Sequence, residues 1–260
     1  MRVKIDGISI NYELAGKGKC LTLVHGLGGS IASWENQVAD FSKKYQVLTW
    51  DVRGFGKSDK PRGEYSAALF ADDLYRLLNV LGIKETYVLG HSMGGVIALR
   101  FTLDHPEMVK ALIVASSASE CNAAAAQRWN EMADTIEKEG MGLIIDTVIK
   151  NFTPAFAEVH PDIVECQKKL RVDNDPVAYA QSARAMAVGN LTAELDKVKC
   201  PTLFIVGNQD VNVGVGGSVR MNRAVGGSEL KIVEDCGHAI NVEKAKEFNA
   251  AVLEFLSTLA

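Results

Sequence analysis

The side chains in this 260-residue chain best placed to move a proton to and from an attacking oxygen are a serine between glycines, five histidines and an aspartate behind an apolar run. The serine is Ser92, in Val88-Leu89-Gly90-His91-Ser92-Met93-Gly94-Gly95-Val96. Residues Thr86 to Leu89 suit a strand covered on both faces, and the pattern turns helical from Met93 to Leu103. A serine at a sharp strand-to-helix corner projects its hydroxyl clear of the backbone. Glycines two residues to either side let neighbouring segments approach without a Cβ clash. The helix that follows aims its first N–H groups and its positive dipole end at the same spot, which suits an oxygen that becomes negative during acyl transfer. A G-x-S-x-G string alone also occurs in ordinary glycine-rich turns; the strand before it and the helix after it are what favour chemistry.

A serine hydroxyl is a poor nucleophile near neutral pH and needs a base. His25 ends a strand and reads as a structural residue near the site. His91 adjoins Ser92, but neighbouring side chains at a sharp turn point apart. His105 and His160 each precede a proline, an ordinary surface setting. His238, in Glu234-Asp235-Cys236-Gly237-His238-Ala239, stands just past a strand's carboxyl end, where open parallel sheets bind ligands. It is the expected base. The carboxylate that orients it is expected to be Asp210, in Ile205-Val206-Gly207-Asn208-Gln209-Asp210, with Asp235 as a rival. The order Ser92, Asp210, His238 is the one expected of a single fold.

The elements that must carry these groups alternate. Residues 3 to 15 read as a hairpin around Asp6-Gly7. Short apolar strands fall at Leu21–Val24, Gln46–Trp50, Ala111–Ala115, Thr202–Val206 and Glu229–Val233. Helical spacing covers Ser33 to Phe41 and Ala67 to Leu81, where Gly82 stops the helix, and returns near the end at Phe248, Val252, Phe255, Leu256 and Leu259. That alternation is the signature of an α/β class with a mostly parallel sheet. It lapses between Ser119 and Leu195, where helical patterns succeed one another, so 1–118 and 196–260 form the expected core and 119–195 a helical insertion over it.

A net charge of −4 leaves no basic footprint, so nucleic acid is excluded as a partner, and no apolar run reaches the roughly 20 residues of a membrane span. Met1 to Gly7 reads as a strand, not a signal peptide. The five cysteines are scattered and odd in number, with no C-x-x-C pair, which suits reduced thiols and a cytoplasmic setting. No cluster has metal-ligand spacing, and Gly26-x-Gly28-Gly29 lacks the lysine of a phosphate loop. Neither a metal nor a cofactor is expected.

Five segments together resemble the α/β-hydrolase superfamily over nearly the whole chain: His25-Gly26-Leu27-Gly28-Gly29, Asp51-Val52-Arg53-Gly54-Phe55-Gly56-Lys57-Ser58, Gly90-His91-Ser92-Met93-Gly94-Gly95, Gly207-Asn208-Gln209-Asp210 and Gly237-His238. Within it the chain is similar to small cofactor-free carboxylesterases and 3-oxoadipate enol-lactonases. The resemblance implies a mostly parallel sheet of about eight strands flanked by helices, a helical cap, and an oxyanion hole made by the backbone N–H groups of Leu27 and Met93. Serine at 92 argues against dehalogenases and epoxide hydrolases, which place an aspartate there. Val213-Gly214-Val215-Gly216-Gly217 departs from the family pattern, being glycine-rich where a proline normally stands at the start of a helix.

The expected activity is hydrolysis of carboxylic esters or lactones of small apolar substrates through an acyl-enzyme. The alternatives are a C–C bond hydrolase acting on meta-cleavage-type diketones and a small-molecule receptor that keeps a slow hydrolase site. Trp34, Trp129, Met132 and Phe152 are candidates to wall the substrate pocket, along with Met141 and Ile144. Oligomeric state is left open.

Overall fold

A computed structural model describes residues 1–259. The elements run β1 (Arg2–Ile5), β2 (Ile8–Ala15), β3 (Cys20–Val24), α1 (Glu35–Phe41), β4 (Gln46–Trp50), α2 (Ala67–Val80), β5 (Thr86–His91), α3 (Met93–Asp104) and β6 (Val109–Ala115). Then come α4 (Ala123–Glu139), α5 (Ile145–Val148), α6 (Pro154–Val159), α7 (Pro161–Val172) and α8 (Pro176–Ala187). The chain closes with β7 (Thr202–Gly207), α9 (Gly214–Ala224), β8 (Glu229–Val233), α10 (Ile240–Glu243) and α11 (Ala245–Ser257).

One eight-stranded sheet has the order β1-β2-β4-β3-β5-β6-β7-β8. The pairs β1–β2 and β2–β4 are antiparallel, and every later pair is parallel. The chain steps from β3 outward to β4, then returns past β3 to lay down β5. The loops leaving β3 and β5 therefore diverge at a topological switch point, where a crevice opens beyond the strands' carboxyl ends. Those loops begin with His25 and Ser92.

Strands β3, β4, β5 and β7 are apolar and almost wholly buried because helices cover both faces. One face packs α2, α3 and α9 through side chains such as Phe70, Leu74, Ile97, Phe101 and Met221. The other packs α1 and α11 through Trp34, Phe41, Phe248, Val252 and Phe255. Helix α2 starts on a Ser66 cap and ends before Gly82, whose φ of +71° admits glycine most easily.

Between β6 and β7 lie five helices and no strand. Helix α4 packs along α8, whose buried alanines (Ala178, Ala180, Ala183, Ala187) let the two backbones come close. Their apolar faces join the core cluster of α2, α3 and α9, so the insertion has no separate core there. It leaves and returns at one place: Glu120 bridges Asn190, and the Leu191 N–H donates to the Ser119 carbonyl (2.7 Å).

Two local details differ from the sequence reading. The segment expected to be helical from Ser33 opens as a tight turn over Ile31–Trp34 capped by Ser30, and α1 proper begins at Glu35. The glycine-rich stretch is itself the first turn of α9, and Gly217 packs against Ser117 and Ala118.

Candidate active site

The corner at Ser92 is built by its neighbours. Ser92 has φ +55° and ψ −119°, a backbone state that a side-chain-bearing residue holds only when its surroundings impose it. A Cβ at Gly90 would lie 2.0 Å from the Gly94 carbonyl oxygen, and one at Gly94 would lie 2.0 Å from that of Val24. Both glycines are therefore required by close approach. The Ser92 N–H donates to Ala115 (2.9 Å), its carbonyl accepts from Gly95 N–H (2.8 Å) and from the Ser117 hydroxyl (2.7 Å), and the corner is pinned on both sides.

His238 closes the arrangement. Its Nε2 lies 3.0 Å from Ser92 Oγ, and its Nδ1–H donates to Asp210 Oδ2 at 2.8 Å. The other Asp210 oxygen accepts the N–H groups of Asn212 (2.9 Å) and Val213 (3.1 Å), so the loop into α9 wraps around the carboxylate. Burial pushes the Asp210 carboxyl up, but the His238 ring and these two N–H groups outweigh it and hold it below the usual carboxylate range. Asp235, the rival, is exposed, with φ +49°, and meets Gln209 instead.

Among the described residues neither the Leu27 N–H nor the Met93 N–H finds an acceptor. Met93 opens α3, so its N–H is one of the helix's free donors. Orphaned donors beside a nucleophile are what a developing oxyanion requires.

His25 is structural, as expected. Its Nδ1–H donates to the Gly26 carbonyl (2.8 Å) and its Nε2 accepts the Val52 N–H (3.0 Å), which fixes a neutral tautomer; burial lowers its pKa in the same sense. His91 makes no side-chain hydrogen bond to Ser92 among the described residues. Its ring lies against His238, with centroids 5.1 Å apart, and its Nε2–H donates to the His238 carbonyl at 2.9 Å. Burial, reinforced by the charge on His238, pushes its pKa down to about 3.

Sequence reasoning missed Glu243. Its buried carboxylate accepts the Gly237 N–H (2.9 Å) and both the N–H and hydroxyl of Thr153, tying the loop that carries His238 to the insertion. A lone glutamate in a short helical turn carries no pattern that would single it out.

The candidate pocket residues divide. Trp34 is fully buried in the core cluster of α1 and α11 and also borders a small cavity it shares with His91 and His238. Phe152 is buried too, packed with Val164 and Ala239 and stacked on Phe156, where it braces the His238 loop. Trp129 and Met132 are half-buried on α4, while Met141 and Ile144 are buried beneath it. Among the described residues no helix is long and apolar enough to cross a membrane.

Comparison with known proteins identifies relatives of the same fold. A profile of the alpha/beta hydrolase fold matches residues 20–142. The chain is 31% identical over 248 residues to 3-oxoadipate enol-lactonase 2 of Acinetobacter baylyi, covering 94% of this chain and 92% of that one. The enol-lactonase of Burkholderia xenovorans superposes with a TM-score of 0.95 at 26% identity, over 99% of this chain and 100% of that one. A thermophilic esterase from Thermogutta terrifontis gives a TM-score of 0.95 at 27% identity, over 100% and 99% respectively.

Proposed function

The chain belongs to the alpha/beta hydrolase family, and from that premise we propose that it is a serine hydrolase of small carboxylic esters or lactones. Ser92 Oγ attacks the carbonyl while His238 Nε2 takes its proton. Asp210 holds the imidazole in the Nδ1–H tautomer and stabilises the imidazolium. The N–H groups of Leu27 and Met93 receive the oxyanion, each worth roughly 3 kcal/mol by analogy with other such donors. His238 then protonates the leaving oxygen, and the acyl-enzyme awaits water. The same imidazole takes a proton from that water, and the acid departs as Ser92 is restored.

One observation carries this reading. A single buried imidazole is hydrogen-bonded to a carboxylate on one nitrogen and, on the other, to a serine held at positive φ. Residues 119–195 serve as the cap, with Trp129 and Met132 on α4 as candidate substrate contacts. The test is turnover of p-nitrophenyl acetate by the wild type and by Ser92→Ala. The wild type should show steady release of nitrophenolate and the variant none above the uncatalysed rate. Equal rates would refute the mechanism.

A further inference from the structure

The insertion reaches the loops of the site at two places. At one, Arg171 in the last turn of α7 lies across Gly28, where a Cβ would stand 2.6 Å from its Cδ, and Asn174 Nδ2 donates to the Gly28 carbonyl (3.1 Å). At the other, Asn151, Phe152 and Thr153 press on the loop that carries His238. A Cβ at Gly237 would lie 2.7 Å from the Asn151 carbonyl oxygen and 3.0 Å from the Phe152 carbonyl carbon. The residue before the base is a glycine because the insertion comes that close.

Asn151 meets both loops that form the His238–Asp210 pair. Its carbonyl accepts the Ala239 N–H (2.8 Å), and its side-chain oxygen accepts from Asn212 Nδ2 (2.8 Å). The Asn212 N–H in turn donates to Asp210. Thr153 adds a further tie. Its hydroxyl accepts the Phe156 N–H (3.2 Å) as the cap of α6 and donates to Glu243 Oε1, and its N–H donates to the same oxygen (3.1 Å). Glu243 Oε2 takes the Gly237 N–H (2.9 Å), one residue before His238.

The carboxylate at the centre of these ties is costly where it stands. Glu243 is only 8% exposed, and its partners are two backbone N–H groups and one hydroxyl, none of them a cation. A buried carboxylate is tolerated only while its donors stay in place. Here the donors come from two separate segments, the insertion and the His238 loop. Neither segment can shift against the other without stranding the charge.

We propose that Glu243 is a positioning residue. With Asn151 and Thr153 it clamps the His238 loop to the insertion, so that His238 Nε2 stays within hydrogen-bonding reach of Ser92 Oγ. Glu243 acts through Gly237 and, among the described residues, makes no hydrogen bond to Ser92, Asp210 or the His238 ring. The insertion thereby governs the chemical step as well as covering the site. The inference rests on the serine-hydrolase reading and adds to it how the base is held.

The experiment follows p-nitrophenyl acetate in variants of the clamp. Glu243→Gln keeps the size of the side chain but turns an NH2 group toward its donors. Its kcat and kcat/KM should fall together by about 10- to 100-fold, the loss expected when a catalytic group is displaced by about 1 Å. Thr153→Val, which removes the hydroxyl and keeps the shape, should cost about 10-fold, and Thr153→Ser should recover most of that. The double variant Thr153→Val/Glu243→Gln should be no slower than Glu243→Gln alone, because the two groups act as one unit. Thermal melting establishes that the variants are folded; if Glu243→Gln does not fold, Thr153→Val against Thr153→Ser decides on the same readouts.

A one-dimensional proton spectrum supplies a signal that lost stability alone would not move. The His238 Nδ1 proton, held against Asp210 at 2.8 Å, should resonate downfield of the amides in the wild type and in Thr153→Ser. In Glu243→Gln and Thr153→Val it should move upfield or broaden. Unchanged kcat in the folded variants, a loss confined to KM, or an unaltered Nδ1 resonance overturns the proposal while leaving the serine mechanism standing. If the wild type turns over no ester and a serine-directed phosphonate leaves Ser92 unlabelled, the mechanism itself falls, and this proposal with it.

Discussion

The corner after β5 and the end of α7 bring groups to one site by opposite means. At Ser92 the backbone does the positioning: two glycines let three segments converge, and the hydroxyl has little freedom once the chain has folded. At Arg171 a long side chain spans from the insertion to the Gly28 loop, held by one amide and by packing. The first kind of site is rigid and writes itself into the sequence as glycine spacing. The second is adjustable and leaves no such trace. The sheet edge and the insertion thus contribute to the site through different kinds of structure, in keeping with a scaffold that hosts many activities.

The comparison predicts a ladder of effects. His238→Ala should cost on the order of 10⁵-fold or more in kcat/KM, because it removes the base hydrogen-bonded to Ser92. Asp210→Asn should cost about 10⁴-fold, roughly 5.5 kcal/mol, by releasing the imidazole from its productive tautomer. Next comes Gly94→Ala, whose new methyl would meet the Val24 carbonyl: urea titration should show about 3 kcal/mol or more of lost stability. If Gly94→Ala were harmless, the corner would not be set by backbone approach, and half of the comparison would fail.

The pH dependence of stability gives a finer test. Unfolded, the His91 imidazole takes its proton near 6.5; folded, it does not do so until about 3. Between those values the unfolded chain binds the extra proton, so stability falls as pH drops, by at most about 1.4 kcal/mol per pH unit. His91→Gln cannot titrate, and should flatten that slope in Tm measured from pH 6.5 down to 4. Buried His25 shifts in the same direction, so some slope should remain. The smallest effect is expected at the end of α7. Asn174→Ala should cost about 1 kcal/mol and raise KM a few-fold with kcat little changed, since it loosens the Gly28 contact without touching Ser92. A collapse of kcat there would show that the two regions are not separable.

What could be read from the sequence follows the same division. The α/β alternation, the corner at Ser92 and the assignment of Asp210 ahead of His238 were legible because each depends on local chain geometry: apolar runs, a glycine at two residues' distance, a polar loop past a strand. The antiparallel first strands and the helical run from 119 to 195 were legible for the same reason. For Trp34 the sequence could not say that its ring joins the core with Phe41 and α11 while also bordering the cavity beside His238, because an aromatic beside a glycine loop looks alike in either setting. That the His91 ring would pack on His238 was not legible, because adjacency to Ser92 says nothing of which distant loop the ring meets. Glu243, Arg171 and Asn174 were not seen as site residues at all. Each acts across more than 85 positions of chain, and no local pattern encodes such a partner.

The account stands on Ser92 being made nucleophilic by His238. Brief exposure to a fluorophosphonate followed by peptide mass spectrometry tests this most directly. The wild type should carry one adduct, on the peptide containing Ser92, and His238→Ala should react at least a thousandfold more slowly. An adduct on another residue, or undiminished labelling of Ser92 in His238→Ala, would contradict it.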